Sequence, residues 1–203
     1  MTQLIAHRGD PIHHVENTLP AVDGAVADGA QIVEIDVRLT RDNVPVLLHD
    51  PDTARLWGHP VPVWEQTLAE LSALRTADGS RIPTLADALA RVDGKARLMI
   101  DMADATPARI AWQVVTDLGA QVCWCGAGPA LDIIRDLDDA ADIYLTWNDP
   151  TPPSPSRIRS ISPSHVNPDH ELASPAFVAA VREVGVQVSC WTVDDPARLR
   201  QLV

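Results

Sequence analysis

Lysine is nearly absent from this chain: Lys95 is the only one in 203 residues. Nucleic acid is bound through clustered Lys and Arg that neutralise phosphates, and a net charge of −12 with a pI near 4.8 opposes such a surface. A nucleic-acid partner is therefore not expected. Cysteine is scarce too. Cys123, Cys125 and Cys190 are odd in number and too few for a disulfide framework. Cys123-Trp124-Cys125 lacks the further ligands that zinc requires, so the thiols read as small buried hydrophobes. The chain has no charged start leading into an apolar signal core. It has no apolar run long enough to cross a bilayer and no amphipathic stretch suited to lying on one. These absences predict a soluble, cytoplasmic protein with no stable membrane insertion. No internal repeat is evident. A hydrophobic content of 46% over 203 residues is enough for one well-buried core, and a single domain spanning 1–203 is expected.

What is present is concentrated between Ile32 and Asp50. Two short apolar runs there end in reactive side chains, Glu34 and Asp36 on the first, His49 and Asp50 on the second. Residues two apart on a strand share a face, so Glu34 and Asp36 would aim two carboxylates at one spot. That is costly unless a positive group sits there. For one such pair the plainer reading is a solvated strand end, or a pairing with Arg38. A third apolar run, Leu4 to Ala6, delivers His7 and Arg8 in the same way, and three strands would then bring these groups to one rim.

Along the chain, Leu19, Val22 and Val26 recur at helical spacing, with Asn17 or Thr18 as cap and Gly29 as stop. The segment 31–37 reads as a buried strand. No helix fits between Val37 and Val44, so the 45–49 strand is reached by a parallel crossing or by a hairpin. A two-residue Asp42-Asn43 turn would set His49 opposite Asp36. Residues 51–83 read as irregular, with one helical piece near 68–74. Helices over 84–92, 107–118, 129–137 and 175–184 then alternate with strands over 97–101, 121–124, 143–146 and 187–191. Thr106-Pro107, Ser174-Pro175 and Asp195-Pro196 supply cap-and-proline starts. The Pro-rich stretch 149–163 reads as a rim loop with an extra strand near 159–161. Eight candidate strands favour an α/β fold of the TIM-type (β/α)8 barrel kind, in which strand C-termini carry the chemistry.

His7-Arg8-Gly9, Glu16-Asn17-Thr18, Glu34-Ile35-Asp36 and Pro45-Val46-Leu47-Leu48-His49-Asp50 together resemble the glycerophosphodiester phosphodiesterases. Weaker echoes continue through Ile82-Pro83-Thr84-Leu85, Val166-Asn167-Pro168 and Trp191-Thr192-Val193-Asp194. The likeness spans nearly the whole chain, with its specificity in the first fifty residues. It implies a TIM-type barrel, a divalent metal, and hydrolysis of glycerophosphodiesters to glycerol 3-phosphate and an alcohol. Two departures stand out. The family usually carries Glu-x-Lys on the fourth strand, where this chain has Asp101-Met102-Ala103; Asp101 can still ligate a metal, but Ala103 loses a cation. Family members also usually continue past the last helix with a Gly-rich strand, whereas this sequence stops at Val203, so either the chain is a fragment with an incomplete barrel or the barrel closes without that strand.

The resemblance implies His7 and His49 as general acid and base, roles that histidine's ordinary pKa near 6.5 allows, and Arg8 as a planar fork for phosphate oxygens. Glu34, Asp36 and Asp101 form an all-oxygen set suited to one divalent cation, Mg²⁺ or Ca²⁺. Glu16 reads as a substrate contact or as the partner of Arg8, and Trp191 as an apolar wall for the alcohol or as a core aromatic. Asp50 would orient His49. Two other readings compete: a phospholipase D-type phosphodiesterase on lysophospholipids or sphingomyelin, suggested by Asp101, and a degenerate non-catalytic binding protein or inactive fragment, suggested by Ala103 and the early end.

Overall fold

The computed structural model describes residues 3–92 and 94–202; Val203, the terminus on which the incomplete barrel was argued, lies outside them. The elements in order are β1 (Ile5–Ala6), α1 (Leu19–Ala27), β2 (Ile32–Leu39), β3 (Pro45–Leu47), β4 (Asp52–Thr53), α2 (Ala54–Trp57), β5 (His59–Pro62), a 3₁₀ turn (Val63–Glu65), α3 (Leu68–Leu71) and α4 (Leu85–Val92). They continue with β6 (Arg97–Met102), α5 (Ala108–Asp117), β7 (Val122–Gly126), α6 (Gly128–Leu137), β8 (Ile143–Trp147), α7 (Pro155–Ile161), β9 (His165–Pro168), α8 (Pro175–Glu183), β10 (Gln187–Val188) and α9 (Pro196–Leu202).

The main sheet runs β1-β2-β6-β7-β8-β9-β10, every neighbour parallel. Successive side chains alternate between the two faces of this sheet. Val33, Ile35 and Val37 of β2 and Leu98, Ile100 and Met102 of β6 pack outward with the helices. Ile32, Met99, Cys123, Cys125 and Tyr144 fill the concave interior, so the thiols are buried and free as expected. Among the described residues β10 and β1 do not pair, and the sheet is a TIM-like barrel left open between them.

The strand reached after residue 44 is antiparallel, with Val37 opposite Leu47 and Leu39 opposite Pro45. It therefore hangs off β2 and is not one of the barrel strands, which corrects the count of eight. The turn is longer than the predicted Asp42-Asn43 pair: Thr40 N–H donates to the Val44 carbonyl at 3.1 Å, and Asn43 sits at φ 60. The register consequently moves by one, and Leu48, not His49, faces Asp36, with its N–H donating to the Asp36 carbonyl at 3.0 Å.

A second correction falls at 159–161. These residues close helix α7, and the strand lies at 165–168. Ser154 caps α7 by accepting the Arg157 N–H, Pro155 opens it, Ile158 and Ile161 bury one side, and Ser162 ends it at φ 45. The same cap-and-proline signal marked other helices, but a stretch so rich in proline read as loop. Residues 51–66 are likewise more ordered than expected, forming the small β4/β5 pair.

Candidate active site

Strand geometry sets the site. β2 and β6 run in parallel with Asp36 beside Asp101 and Glu34 beside Met99, so the three acids meet inside the barrel near the strands' C-terminal ends. One oxygen of each lies within 4.8 Å of the others. Glu34 is buried, and burial first, then the charges of Asp36 and Asp101, push its carboxyl well above the usual range. Burial and the Asp36 charge push Asp101 up to about 6. Such repulsion is what a bound cation would relieve, and an all-oxygen donor set fits a hard divalent ion.

Gly126 makes room beside this trio. At φ 118 it sits where a Cβ would come within 2.3 Å of the Met102 carbonyl oxygen and 2.7 Å of Asp101 Oδ1. Cys125 directs its Sγ at Asp101 Oδ2, 3.5 Å away. On the other side, Asn17 grips Asp36 twice: its Nδ2 donates to Oδ2 at 2.7 Å, and its Oδ1 accepts the Asp36 N–H at 3.0 Å. Asn17 is therefore more than a cap. Thr18 is the residue whose side chain caps α1.

Arg8 follows β1 with φ 59. Its backbone N–H donates to Glu34 Oε2 at 2.9 Å, and its Nη1 to Glu16 Oε1 at 2.9 Å. Nε lies 3.2 Å from Asp36 Oδ2 but is not aligned for a hydrogen bond, and among the described residues no other acceptor reaches it. The neighbouring Gly9, at φ 85, lets this loop press onto α1, since a Cβ there would stand 2.6 Å from the Ala21 backbone. His7 places Nε2 3.9 Å from Glu34 Oε2 and Nδ1 3.2 Å from Thr192 Oγ1. Burial and the Arg8 charge lower its pKa from the ordinary value. The Thr192 contact spans the open side of the barrel.

His49 sits on the loop after β3, its Nδ1 2.8 Å from Asp50 Oδ1. The Arg55 guanidinium, with His49, holds Asp50 down at about 2. The His49 carbonyl accepts from Arg38 Nε at 3.1 Å and Nη2 at 2.6 Å. Arg38 thus fixes the His49 backbone and pairs with Asp104 instead of neutralising Glu34 or Asp36. Ala103 is exposed beside it. Trp191 is 36% exposed, with Nε1 donating to the Asn167 carbonyl at 3.0 Å. His165 stacks on Tyr144 with centroids 4.1 Å apart, at the N-terminal start of β9 and away from the rim. Asn17, Arg38, Cys125 and Thr192 carry local signals, as a cap, a partner of the strand acids, a buried thiol and part of Trp-Thr-Val-Asp, but none that places them at these contacts, and Arg55 carries none.

A parallel barrel-like sheet that delivers acids, a guanidinium and a histidine to its C-terminal rim, with a second histidine on an adjoining loop, defines the TIM-barrel class with a rim site. Within that class, the chain belongs to the glycerophosphoryl diester phosphodiesterase family, whose model matches residues 7–203. It is 28% identical over 217 residues to the glycerophosphodiester phosphodiesterase GDPD4 of Arabidopsis thaliana, covering 98% of this chain and 66% of that protein. Over 95 residues it is 36% identical to human glycerophosphodiester phosphodiesterase 1, covering 42% of this chain and 29% of that one. The chain thus spans less than two thirds of the length of these curated relatives. The fold matches that of an Oleispira antarctica phosphodiesterase solved with the product sn-glycerol-3-phosphate, at TM-score 0.89 and 23% identity, covering all of this chain and 89% of the other. It also matches a glycerophosphodiester phosphodiesterase from Thermotoga maritima at TM-score 0.85 and 24% identity, covering 100% and 91%.

Proposed function

We propose that the protein hydrolyses small glycerophosphodiesters to sn-glycerol 3-phosphate and an alcohol, with one divalent cation held by Glu34, Asp36 and Asp101. The observation that carries this reading is the convergence of His7, Arg8 and the acidic trio at one rim, with His49 on the adjoining loop. A phosphodiester bears one negative charge and a poor alkoxide leaving group, so cleavage needs charge neutralisation, a base and an acid. The cation, Mg²⁺ or Ca²⁺, would supply Lewis-acid neutralisation and orientation. Arg8 offers its guanidinium to phosphate oxygens while Glu16 and Asp36 hold it in place. His7 and His49 form the acid–base pair. One takes the proton of the attacking hydroxyl, from water or from the glycerol 2-position, and the other protonates the departing alkoxide as the P–O bond breaks. Water attack yields glycerol 3-phosphate directly; attack by the 2-hydroxyl yields a cyclic phosphate that water then opens. Trp191 lines the rim where the alcohol would leave.

The test is glycerol 3-phosphate release from glycerophosphocholine and glycerophosphoethanolamine with Mg²⁺, with Ca²⁺ and with a chelator. Release that requires metal and falls by about 10²–10⁴-fold in His49→Ala and in His7→Ala, with thermal midpoints little changed, is expected. No release from folded protein under any condition would sink the assignment. Lysophosphatidylcholine belongs in the same assay, because Ile12 on the loop after Arg8 is 86% exposed and offers an apolar contact to a long chain.

A further inference from the structure

The excursion over residues 51–66 adds nothing to the barrel sheet, yet it is anchored more firmly than a rim loop requires. Thr53 and Gln66 are both buried, and Gln66 Nε2 donates to Thr53 Oγ1 at 3.1 Å and to the Val61 carbonyl at 2.8 Å. Trp57 and Val63 pack with Val46, Leu48, Leu71 and Ile82 in a core of their own. This anchored unit directs one guanidinium at the site, that of Arg55 in α2. Its Nε donates to Asp50 Oδ2 at 2.6 Å, and Nη2 and Nη1 donate to Glu16 Oε1 and Oε2 at 2.7 and 3.2 Å. Each acid meets a site residue with its carboxylate as well: Asp50 Oδ1 faces His49 Nδ1 at 2.8 Å, and Glu16 Oε1 accepts from Arg8 Nη1 at 2.9 Å. A continuous chain thus runs His49, Asp50, Arg55, Glu16, Arg8.

We propose that Arg55 is a positioning residue of the phosphodiester site, fixing the His49 ring through Asp50 and the Arg8 fork through Glu16 so that both hold one register. The inference rests on the phosphodiesterase reading above. A half-exposed ion pair is ordinarily worth little to stability, so the value of this one lies in orientation. An ionised carboxylate only accepts, and Asp50 remains ionised down to about 2, which assigns the proton to His49 Nδ1 and leaves Nε2 free. Without the guanidinium between them, Asp50 and Glu16 are two like charges with no shared partner. Lysine cannot replace the fork, because its ammonium does not present two planar faces of donors to two carboxylates.

Long-range ¹H–¹⁵N spectra of the His49 ring, assigned by comparison with His49→Gln and recorded at pH about 8, above histidine's ordinary pKa of about 6.5, test this together with steady-state kinetics. The wild type is expected to show the Nδ1–H tautomer. In Arg55→Gln a mixture of tautomers should appear, with kcat lower by about tenfold or more and KM for glycerophosphocholine raised. Arg55→Lys should be affected in the same direction, and it serves if the glutamine variant does not fold. A wild-type His49 spectrum with kcat within about twofold, in whichever variant folds, would overturn the proposal. Should the wild type hydrolyse no glycerophosphodiester, the spectra still decide: a changed tautomer supports the positioning of His49 by Arg55, and an unchanged one removes it.

Discussion

On the wall of the barrel mouth built from β1, β2 and the loops that follow them, nearly every polar group carries charge or titrates: His7, Arg8, Glu16, Glu34, Asp36, His49, Asp50 and Arg55. On the wall built from β7 to β10 the polar side chains that meet beside the acidic trio are neutral. Cys125 Sγ meets Thr146 Oγ1 at 3.3 Å and accepts from Asn167 Nδ2 at 3.7 Å, while Ser189 Oγ donates to Asn167 Oδ1 at 2.8 Å. Burial and the Asp101 charge push the Cys125 thiol far up, so it too stays uncharged. Asp101 stands at the seam between the two. The acidic trio on the charged wall and its seam stores electrostatic cost that a bound cation would relieve, whereas the neutral wall satisfies its own hydrogen bonds and serves as a scaffold. Function and stability should therefore separate by wall.

The sharpest way to break that separation is Glu34→Gln. The variant keeps an oxygen to accept the Arg8 N–H and loses a buried charge. Because the folded-state pKa of Glu34 is raised, ionising it at neutral pH costs folded stability. The metal-free variant should melt higher than metal-free wild type, by about 2–4 °C for each kcal/mol relieved. Its turnover and its midpoint shift on adding Mg²⁺ or Ca²⁺ should both disappear. Differential scanning fluorimetry with and without metal measures this, and a variant that melts lower without metal would show that Glu34 is not strained.

How far the chain could be read beforehand follows the same division. The charged wall was legible because His7-Arg8 and His49-Asp50 directly follow apolar runs, and because strand alternation alone puts Glu34 and Asp36 on one face. Arg55 was not legible, since its partners Glu16 and Asp50 come from separate loops and no local pattern joins them. The register of β3 shifted because a five-residue turn closed by Thr40 and Val44 competed with the shorter one. On the neutral wall, α7 was lost in a proline-rich stretch, and with it the strand that supplies Asn167.

Asn167→Ala probes the neutral wall. It strips partners from Cys125 and Ser189 at a buried position, and a buried polar group left unpaired costs about 1–3 kcal/mol. The urea midpoint should fall accordingly, while kcat per folded molecule changes by less than about tenfold, in contrast to the losses expected on the charged wall. A collapse of kcat without loss of stability would move Asn167 into the substrate site and erase the distinction between the walls.

The smallest effect is expected at the far end of the barrel, where charge is present without a site. Asp142 accepts from Arg97 Nη1 at 3.0 Å and from Ser164 Oγ at 2.5 Å. Against the opposing burial, the Ser164 and Arg97 hydrogen bonds hold its carboxyl below the usual range. A depressed folded-state pKa contributes stability above the unfolded value of about 3.9 and loses it as pH falls through the folded one. Asp142→Asn should therefore lower the urea midpoint at pH 7, and the gap to wild type should close toward about pH 3. Both partners are partly exposed, which limits the pair to about 1 kcal/mol or less. Glycerophosphodiester turnover should not change at all, because Arg97 and Asp142 sit at the starts of their strands and the reacting groups at the ends. A change in turnover would mean that charge at either end of the barrel reaches the rim.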